Sequence, residues 1–175
     1  MIMKGQTIGK MMPHGYAGSY ARQPDMIVDT HPLSGNREVV FGQAVFMGNG
    51  GGAIAAEAGV TAAKFLGVAV REIKSALSYV NQNEGKYQPG EAIPVMKRGC
   101  INVICQAGTP APGGKVYIRV TANAAKPNLM IGGFEAAEDK DDSATYTMEL
   151  SNAQWKGTAD SNGVAEMRIL TILNA

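Results

Sequence analysis

The stretch from residue 87 to residue 106, YQPGEAIPVMKRGCINVICQ, constrains the fold most strongly. The Pro-Gly pair at 89–90 favours a turn, because proline presets φ and glycine accepts positive φ. Residues 91–97 then alternate between apolar and polar side chains, Gly99 interrupts the alternation, and residues 100–105 form an apolar run of strand length. The stretch therefore predicts two short strands joined by turns, with no acid, base or nucleophile set for catalysis.

The same succession of strand, glycine and strand recurs along the chain and predicts an all-β domain, either a jelly-roll-like sandwich or a barrel, with long polar loops. Two segments are ambiguous: residues 53–63 are alanine-rich and weakly helical, and residues 72–83 fit either a helix or a strand. A glycine inside a strand pattern indicates a bulge or a close backbone approach, which we expect at Gly42. The other predicted strands are residues 26–30, 38–47, 65–70, 115–121, 145–150 and 164–173.

Two of these strands have side-chain patterns that predict which face is buried. In residues 115–121 we expect the three aliphatic side chains to point inward, and Tyr117 and Arg119 to point outward. In residues 164–173 one face is apolar and the opposite face is charged. The predicted inward set is Val116, Ile118, Val120, Ala165, Met167, Ile169 and Leu173, and the outward set is Tyr117, Arg119, Glu166 and Arg168.

The domain organisation follows from length and from the N-terminal composition. A chain of 175 residues, of which 45% are hydrophobic, is long enough for one packed domain. Residues 1–24 carry Met, Gly and Pro without a helical or strand period, so they predict an extended N-terminal arm. Residues 25–175 are then a single β-rich domain, with a turn-rich piece at 31–36.

Charge and hydropathy exclude several classes of partner. The net charge is +1 with 18% charged residues, which lacks the basic excess of a nucleic-acid-binding domain. No window approaches 18 consecutive apolar residues, and the N-terminus has no apolar signal-peptide core. We therefore expect no direct nucleic-acid or membrane partner and synthesis in a cytoplasm.

Glycine-rich strings and histidines do not form a cofactor or catalytic site. Residues 5–11 lack the spacing and the hydroxyl of a phosphate loop, and residues 48–53 lack the helix that a dinucleotide site requires. His14 and His31 each stand beside a proline and have no orienting carboxylate or nucleophile nearby in sequence. We interpret both histidines as loop residues and predict no catalytic residue, no cofactor and no metal.

The remaining candidates are cysteines, a tryptophan and acidic residues. Cys100 and Cys105 would lie on opposite faces of a strand about 16 Å apart, too far for a disulfide. Trp155, the single tryptophan, is interpreted as half-buried or at an interface. An acidic cluster lacks the glycine and final glutamate of an EF-hand and indicates a solvated loop tip, or else an electrostatic contact with a neighbouring subunit. The cluster is Glu135, Glu138, Asp139, Asp141 and Asp142.

Taken in order, several short motifs make the chain resemble the structural cement (decoration) protein family of tailed-bacteriophage capsids. The resemblance runs over nearly the whole length, except that residues 72–86 and 135–163 are longer and more polar than the family pattern. These two segments are interpreted as insertions with contacts of their own. The motifs are PHGYAG at 13–18, FGQAV at 41–45, FLGVAV at 65–70, YQPGE at 87–91, Val95, Arg98-Gly99, Val103, GKVY at 114–117 and a hydrophobic final strand.

The resemblance implies a non-enzymatic, jelly-roll-like domain on the outside of an icosahedral head, made in the bacterial host cytoplasm. Its partners would be the major capsid protein, whose adjacent subunits it would clamp, and other copies of itself, as a dimer or trimer on the shell. We further expect the N-terminal arm to lie along the capsid. The expected capsid-contact residues are Pro13, Gly15, Tyr16 and Gly18.

Two other classes of function remain as alternatives. A cell-surface or carbohydrate-binding β-sandwich module would explain the strands and glycine loops equally well. It would also be expected to carry a secretion leader and several exposed aromatic rings, whereas aromatic residues are 6% of this chain. A small hydrolase would need a nucleophile and base that the two histidines do not provide.

Overall fold

A computed structural model describes residues 13–73 and 84–170. The predicted arm up to residue 12, the 5–11 string, most of the ambiguous 72–83 segment and Leu173 lie outside these residues. The described part of the chain is almost entirely β-structure. Its strands are β1 (Tyr20–Pro32), β2 (Val39–Val40), β3 (Ala44–Met47), β4 (Ala53–Ala55), β5 (Phe65–Ala69), β6 (Lys86–Tyr87), β7 (Ala92–Ala107), β8 (Lys115–Arg119), β9 (Phe134–Glu135), β10 (Thr147–Trp155) and β11 (Val164–Ile169).

The strands form a closed barrel continuous with an open sheet layer. The large sheet has the order β11-β10-β8-β9-β7-β5-β3-β4, and β11 pairs a second time with β7. Strands β7, β9, β8, β10 and β11 therefore close on themselves, with only the β7–β9 pair parallel. Strand β1 pairs with β7, while β2 and β6 form a separate two-stranded sheet. The predicted all-β, jelly-roll-like fold is confirmed.

Strand β7 joins the two parts of the fold, and here the predicted break at Gly99 is wrong. The first half of β7 pairs with β1 and β5, whereas its second half pairs with β11 and β9. Gly99 adopts φ 123° inside this continuous strand, and a Cβ there would lie 2.8 Å from the carbonyl oxygen of Asp25. The glycine accommodates the irregular β1–β7 register instead of ending the strand.

Two apolar clusters fill the fold on opposite faces of the β3–β5–β7 layer. Val68 of β5 faces the cluster inside the barrel, and its neighbour Ala69 faces a second cluster covered by β2 and β6. Burial on both faces explains the uninterrupted apolar run that predicted this strand, which is confirmed. The second cluster is Leu33, Val39, Val45, Ala53, Ala69, Tyr87, Ile93 and Val95.

Three predictions around the layer need correction. Residues 38–47 are two strands, because the chain turns at Gly42, where φ is 81°. The close approach predicted there is confirmed, since a Cβ on Gly42 would lie 2.8 Å from the amide nitrogen of Gly18.

The other two corrections concern neighbouring segments. Residues 53–63 begin with β4 and contain no α-helix. Strand β1 continues to Pro32, so residues 31–36 are only partly a turn.

The final described strand matches the apolar part of its predicted pattern, since Ala165, Met167 and Ile169 of β11 are buried in the barrel. The expected outward position of Glu166 is wrong: its carboxylate is buried and pairs with Arg22 of β1. The described part of the chain contains no helix with the length and apolar character of a membrane span.

Candidate functional site

Residues 13–19, here called the anchor segment, are fixed to the end of the barrel at two points. Near its start, the amide of His14 donates to Asp160 Oδ2 at 2.9 Å. Near its end, the amide of Gly18 donates to the carbonyl of Asn102 at 2.7 Å, and the Asn102 amide donates to the Ser19 carbonyl at 3.0 Å. The first residues that the structure describes are therefore fixed to the barrel by hydrogen bonds.

The side chain of Asn102, on β7, connects the two ends of the anchor segment. Its Nδ2 donates to the carbonyl of His14 at 2.7 Å and to Ser19 Oγ at 3.1 Å. Asn102 is buried, so these bonds form away from bulk water, where leaving its Nδ2 donors unpaired would be costly. Sequence reasoning missed Asn102, because one asparagine in an apolar strand carries no sequence signal for so distant a partner.

Asp160, in the turn before β11, holds the other side of the anchor segment. Burial raises the pKa of this carboxyl, but amide donors from His14, Asn162 and Val164 outweigh that effect and lower its pKa below the usual value. The carboxylate is therefore kept charged and oriented. The turn that contains Asp160 has the sequence Asp-Ser-Asn-Gly, which is typical of turns and is recognisable from the sequence. The contact between Asp160 and His14 is not recognisable in the same way, because the two residues are distant in sequence.

The structure separates the four expected contact residues. Pro13, Gly15 and Tyr16 are exposed, and Tyr16 retains 68% of its accessible surface. Gly18 is buried, and a Cβ there would lie 2.9 Å from the carbonyl oxygen of Ala69. Gly18 therefore acts in packing, and the first three are the residues available to a partner. The predicted arm boundary at residue 24 falls inside β1.

Tyr16 forms one side of an aromatic and cationic surface group. The guanidinium of Arg71 lies 4.6 Å from the Tyr16 ring centroid and 5.7 Å from that of Phe41. The Arg71 amide also donates to the Gly18 carbonyl at 2.8 Å. Tyr16, Phe41 and Arg71, here called the stacked patch, thus bring together parts of the chain that are distant in sequence.

Charged pairs hold β1 against the barrel next to the anchor segment. Arg22 makes a two-pronged contact with Glu166 of β11, at 2.5 Å and 2.9 Å, and this pair lowers the pKa of Glu166. Asp25 contacts Arg98 at 2.8 Å and Arg168 at 3.2 Å. The two Asp25 pairs are exposed, and pairs of this kind contribute about 0–1 kcal/mol each, so they mainly fix the position of β1. The Arg22 pair is only partly exposed, because the Glu166 carboxylate is buried.

A buried charge cluster lies at the other side of the barrel, where Arg119 was wrongly expected to point outward. Arg119 Nε is 2.7 Å from Glu135 Oε1, and its Nη2 is 2.5 Å from Asp139 Oδ2. All three side chains are buried, so the solvated-tip interpretation is wrong for Glu135 and Asp139. It holds for Glu138, Asp141 and Asp142, which are exposed.

The cluster makes stability depend on acid pH. Lys126, at 2.8 Å, and Arg119 overcome the effect of burial and lower the pKa of Asp139 to about 2. Because the folded-state pKa is depressed, the stabilisation is complete above the unfolded value near ~4 and is lost as pH falls from ~4 towards ~2.

We expect Lys126→Ala to be less stable than the natural chain at pH 6, with the difference shrinking below pH 4. Urea unfolding between pH 2 and pH 6 measures this difference. A difference independent of pH across that range would contradict the role of Asp139.

The other sequence candidates lie apart from one another. Trp155 is fully buried in the barrel core, so its assignment as half-buried or at an interface is wrong. His31 belongs to β1 instead of a loop, and Cys100 and Cys105 are free thiols in β7. Among residues 13–73 and 84–170, no group of three or more His, Cys, Asp or Glu side chains is placed to hold a metal ion.

Comparison with known proteins agrees with this architecture. The family of structural cement proteins, described by E217 gp24 and Pam3 gp6, matches residues 5–170. A chain in the solved capsid of Myoviridae phage XM1 has the same fold, with a TM-score of 0.65 and 18% identity over 95% of this chain and 96% of that chain. No curated protein matches the sequence. The family match spans nearly the whole chain, which therefore belongs to the phage structural cement protein family.

Proposed function

We propose that this protein is a non-enzymatic capsid cement that binds the outer surface of an icosahedral phage head and stabilises contacts between major capsid protein subunits. The observation that carries the proposal is the family match over residues 5–170. The capsid chain of similar fold supports it. A cement that binds only where assembled subunits meet favours the assembled shell by mass action.

The anchor segment supports a role for the N-terminus in this binding. Its bonds to Asn102 and Asp160 fix His14, close to the first described residue, against the barrel. A fixed starting point reduces the conformational entropy that an extended arm loses when it binds. We propose that residues 1–12 continue along the capsid and that Pro13, Gly15 and Tyr16 contact it, while the barrel provides the rigid body.

Binding between copies on the shell would add to each contact. Many copies on one lattice raise the effective concentration of each binding partner, so modest individual contacts suffice. The net charge of +1 limits mutual repulsion between neighbouring copies. We propose a dimer or trimer on the shell, with the exposed part of the acidic loop at 138–142 available for contacts with neighbours.

Deleting residues 1–12 is expected to leave a folded domain that coats heads at least about tenfold more weakly, equivalent to ~1.4 kcal/mol. The deletion preserves the anchor segment, whereas a cut at residue 20 would remove its bonds to Asn102. Sedimentation of purified protein with heads that lack it measures the bound fraction.

A chain in which a Gly/Ser sequence of equal length replaces residues 1–12 separates the effect of sequence from that of length. Circular dichroism and thermal melting check that each variant is folded. Undiminished coating by the deletion variant would contradict the arm proposal, and absence of coating by the full chain would contradict the cement proposal itself.

A further inference from the structure

The stacked patch contains a cation held in place by aromatic rings. Phe41 packs edge-on against Tyr87 at 5.1 Å, and Tyr87 is fully buried and donates to the Val70 carbonyl at 2.6 Å. The guanidinium of Arg71 then lies over the rings of both Phe41 and Tyr16. Ring contacts therefore link the Arg71 guanidinium to the buried Tyr87 and orient it before a partner binds.

Among the described ion pairs, none joins Arg71 to a carboxylate. Within residues 13–73 and 84–170, the ion pairs of the protein involve other arginines and lysines, and the contacts of the Arg71 guanidinium are with the two rings. The adjacent carboxylate, Glu72, instead accepts a hydrogen bond from the Tyr20 hydroxyl. Arg71 thus presents free N–H donors in a fixed fork, which matches the two oxygens of a carboxylate.

The surroundings of Arg71 are those of a protein contact. Tyrosine and arginine are enriched among the residues that contribute most to binding, since both combine apolar area with polar donors. Tyr16 is exposed, as is Ile73 two positions after Arg71 in sequence, and the anchor segment connects the patch directly to the N-terminal arm. A partner that covers this patch would remove the guanidinium from water, and this is favourable only if it supplies an opposite charge.

We propose that the stacked patch is a docking surface on which Arg71 binds a carboxylate of the major capsid protein. This inference rests on the proposed cement function and adds the chemistry of the partner, an aspartate or glutamate flanked by apolar surface. Tyr16 contributes stacking area and restricts the rotamers of Arg71. A preoriented fork loses less entropy on binding than a free side chain does.

The test compares variants of Arg71 in binding to purified heads that lack the cement. Arg71→Gln is expected to weaken binding about 30-fold, the size of an interface hot spot, and Arg71→Glu to weaken it further. Arg71→Lys keeps the charge but loses the fork, so it is expected to bind with intermediate affinity. The matched control is Lys115→Gln, which removes one positive charge already paired with Glu149 and is expected to bind within about twofold of the natural chain.

Three outcomes would count against the inference or against the function on which it rests. Equal binding of Arg71→Gln and the natural chain would overturn the inference while leaving the cement function intact. If Arg71→Gln instead abolishes self-association in solution, measured by sedimentation without heads, the carboxylate belongs to a second copy and the inference is also overturned. A natural chain that does not bind heads contradicts the proposed function and not the assignment of Arg71 alone.

Discussion

Replacing Arg119 with methionine is expected to lower the free energy of unfolding by about 3–5 kcal/mol, because it removes the buried cation that two buried carboxylates share. Glu135 is 1% exposed and Asp139 is 6% exposed, so neither can recover its hydration without local opening. In the part of the chain that the structure describes, the Lys126 ammonium pairs with Asp139 and not with Glu135, which leaves Glu135 the more severely affected. Chemical denaturation at neutral pH measures the loss.

The control for Arg119 is the same change combined with neutral partners. Adding Glu135→Gln and Asp139→Asn to Arg119→Met removes the unpaired charges, and we expect it to recover a large part of the lost stability. Lys115→Ala, which breaks an exposed pair with Glu149, is expected to cost less than about 1 kcal/mol. A loss for Arg119→Met as small as that of Lys115→Ala would show that the buried cluster does not stabilise the barrel.

Gly67→Ala is expected to destabilise the protein by about 2–6 kcal/mol, combining ~1–3 for a strained backbone and ~1–3 for overpacking. Gly67 on β5 has φ 154°, and a Cβ there would lie 2.1 Å from the carbonyl oxygen of Met96 on β7. This is where the open layer joins the central strand, so relief of the clash must separate β5 from β7. Thermal melting with circular dichroism measures the effect.

Gly50→Ala is the matched control for Gly67→Ala. Gly50 lies in the exposed turn between β3 and β4, and a Cβ there would have no atom within 4 Å. The same glycine-to-alanine change should therefore alter stability by less than about 0.5 kcal/mol. Similar melting temperatures for the two variants would contradict the close approach of β5 and β7.

Local patterns sufficed for parts of the fold. The apolar run that became β5 is predictable because burial on both faces demands it, and the turn before β7 is predictable because Pro89 and Gly90 favour one conformation. The apolar face of strand β11 followed from alternation, whereas the burial of Glu166 did not. These elements depend on few residues that are close in sequence.

The errors come from interactions between distant residues. Alternation placed Arg119 outward, yet Glu135 and Asp139 from later segments neutralise it inside the fold. Gly99 was interpreted as a strand break because a glycine in a strand has several roles, and only the neighbouring β1 determines which one applies. Neither partner could be identified from the segment itself.

The candidate site was only partly predictable. The motif at 13–18 drew attention to the N-terminal segment, and three of its four expected contact residues are exposed. The bonds that hold this segment join residues such as His14 and Asp160, which are 146 positions apart. The stacking of Arg71 on Tyr16 likewise depends on the finished fold.

The most direct test of the cement function is an electron cryo-microscopy reconstruction of phage heads that lack this protein, imaged before and after the purified chain is added. We predict new density on the outer surface that fits the barrel and lies across the boundaries between major capsid protein subunits. Unchanged heads, or density confined to the interior of the shell, would contradict this account.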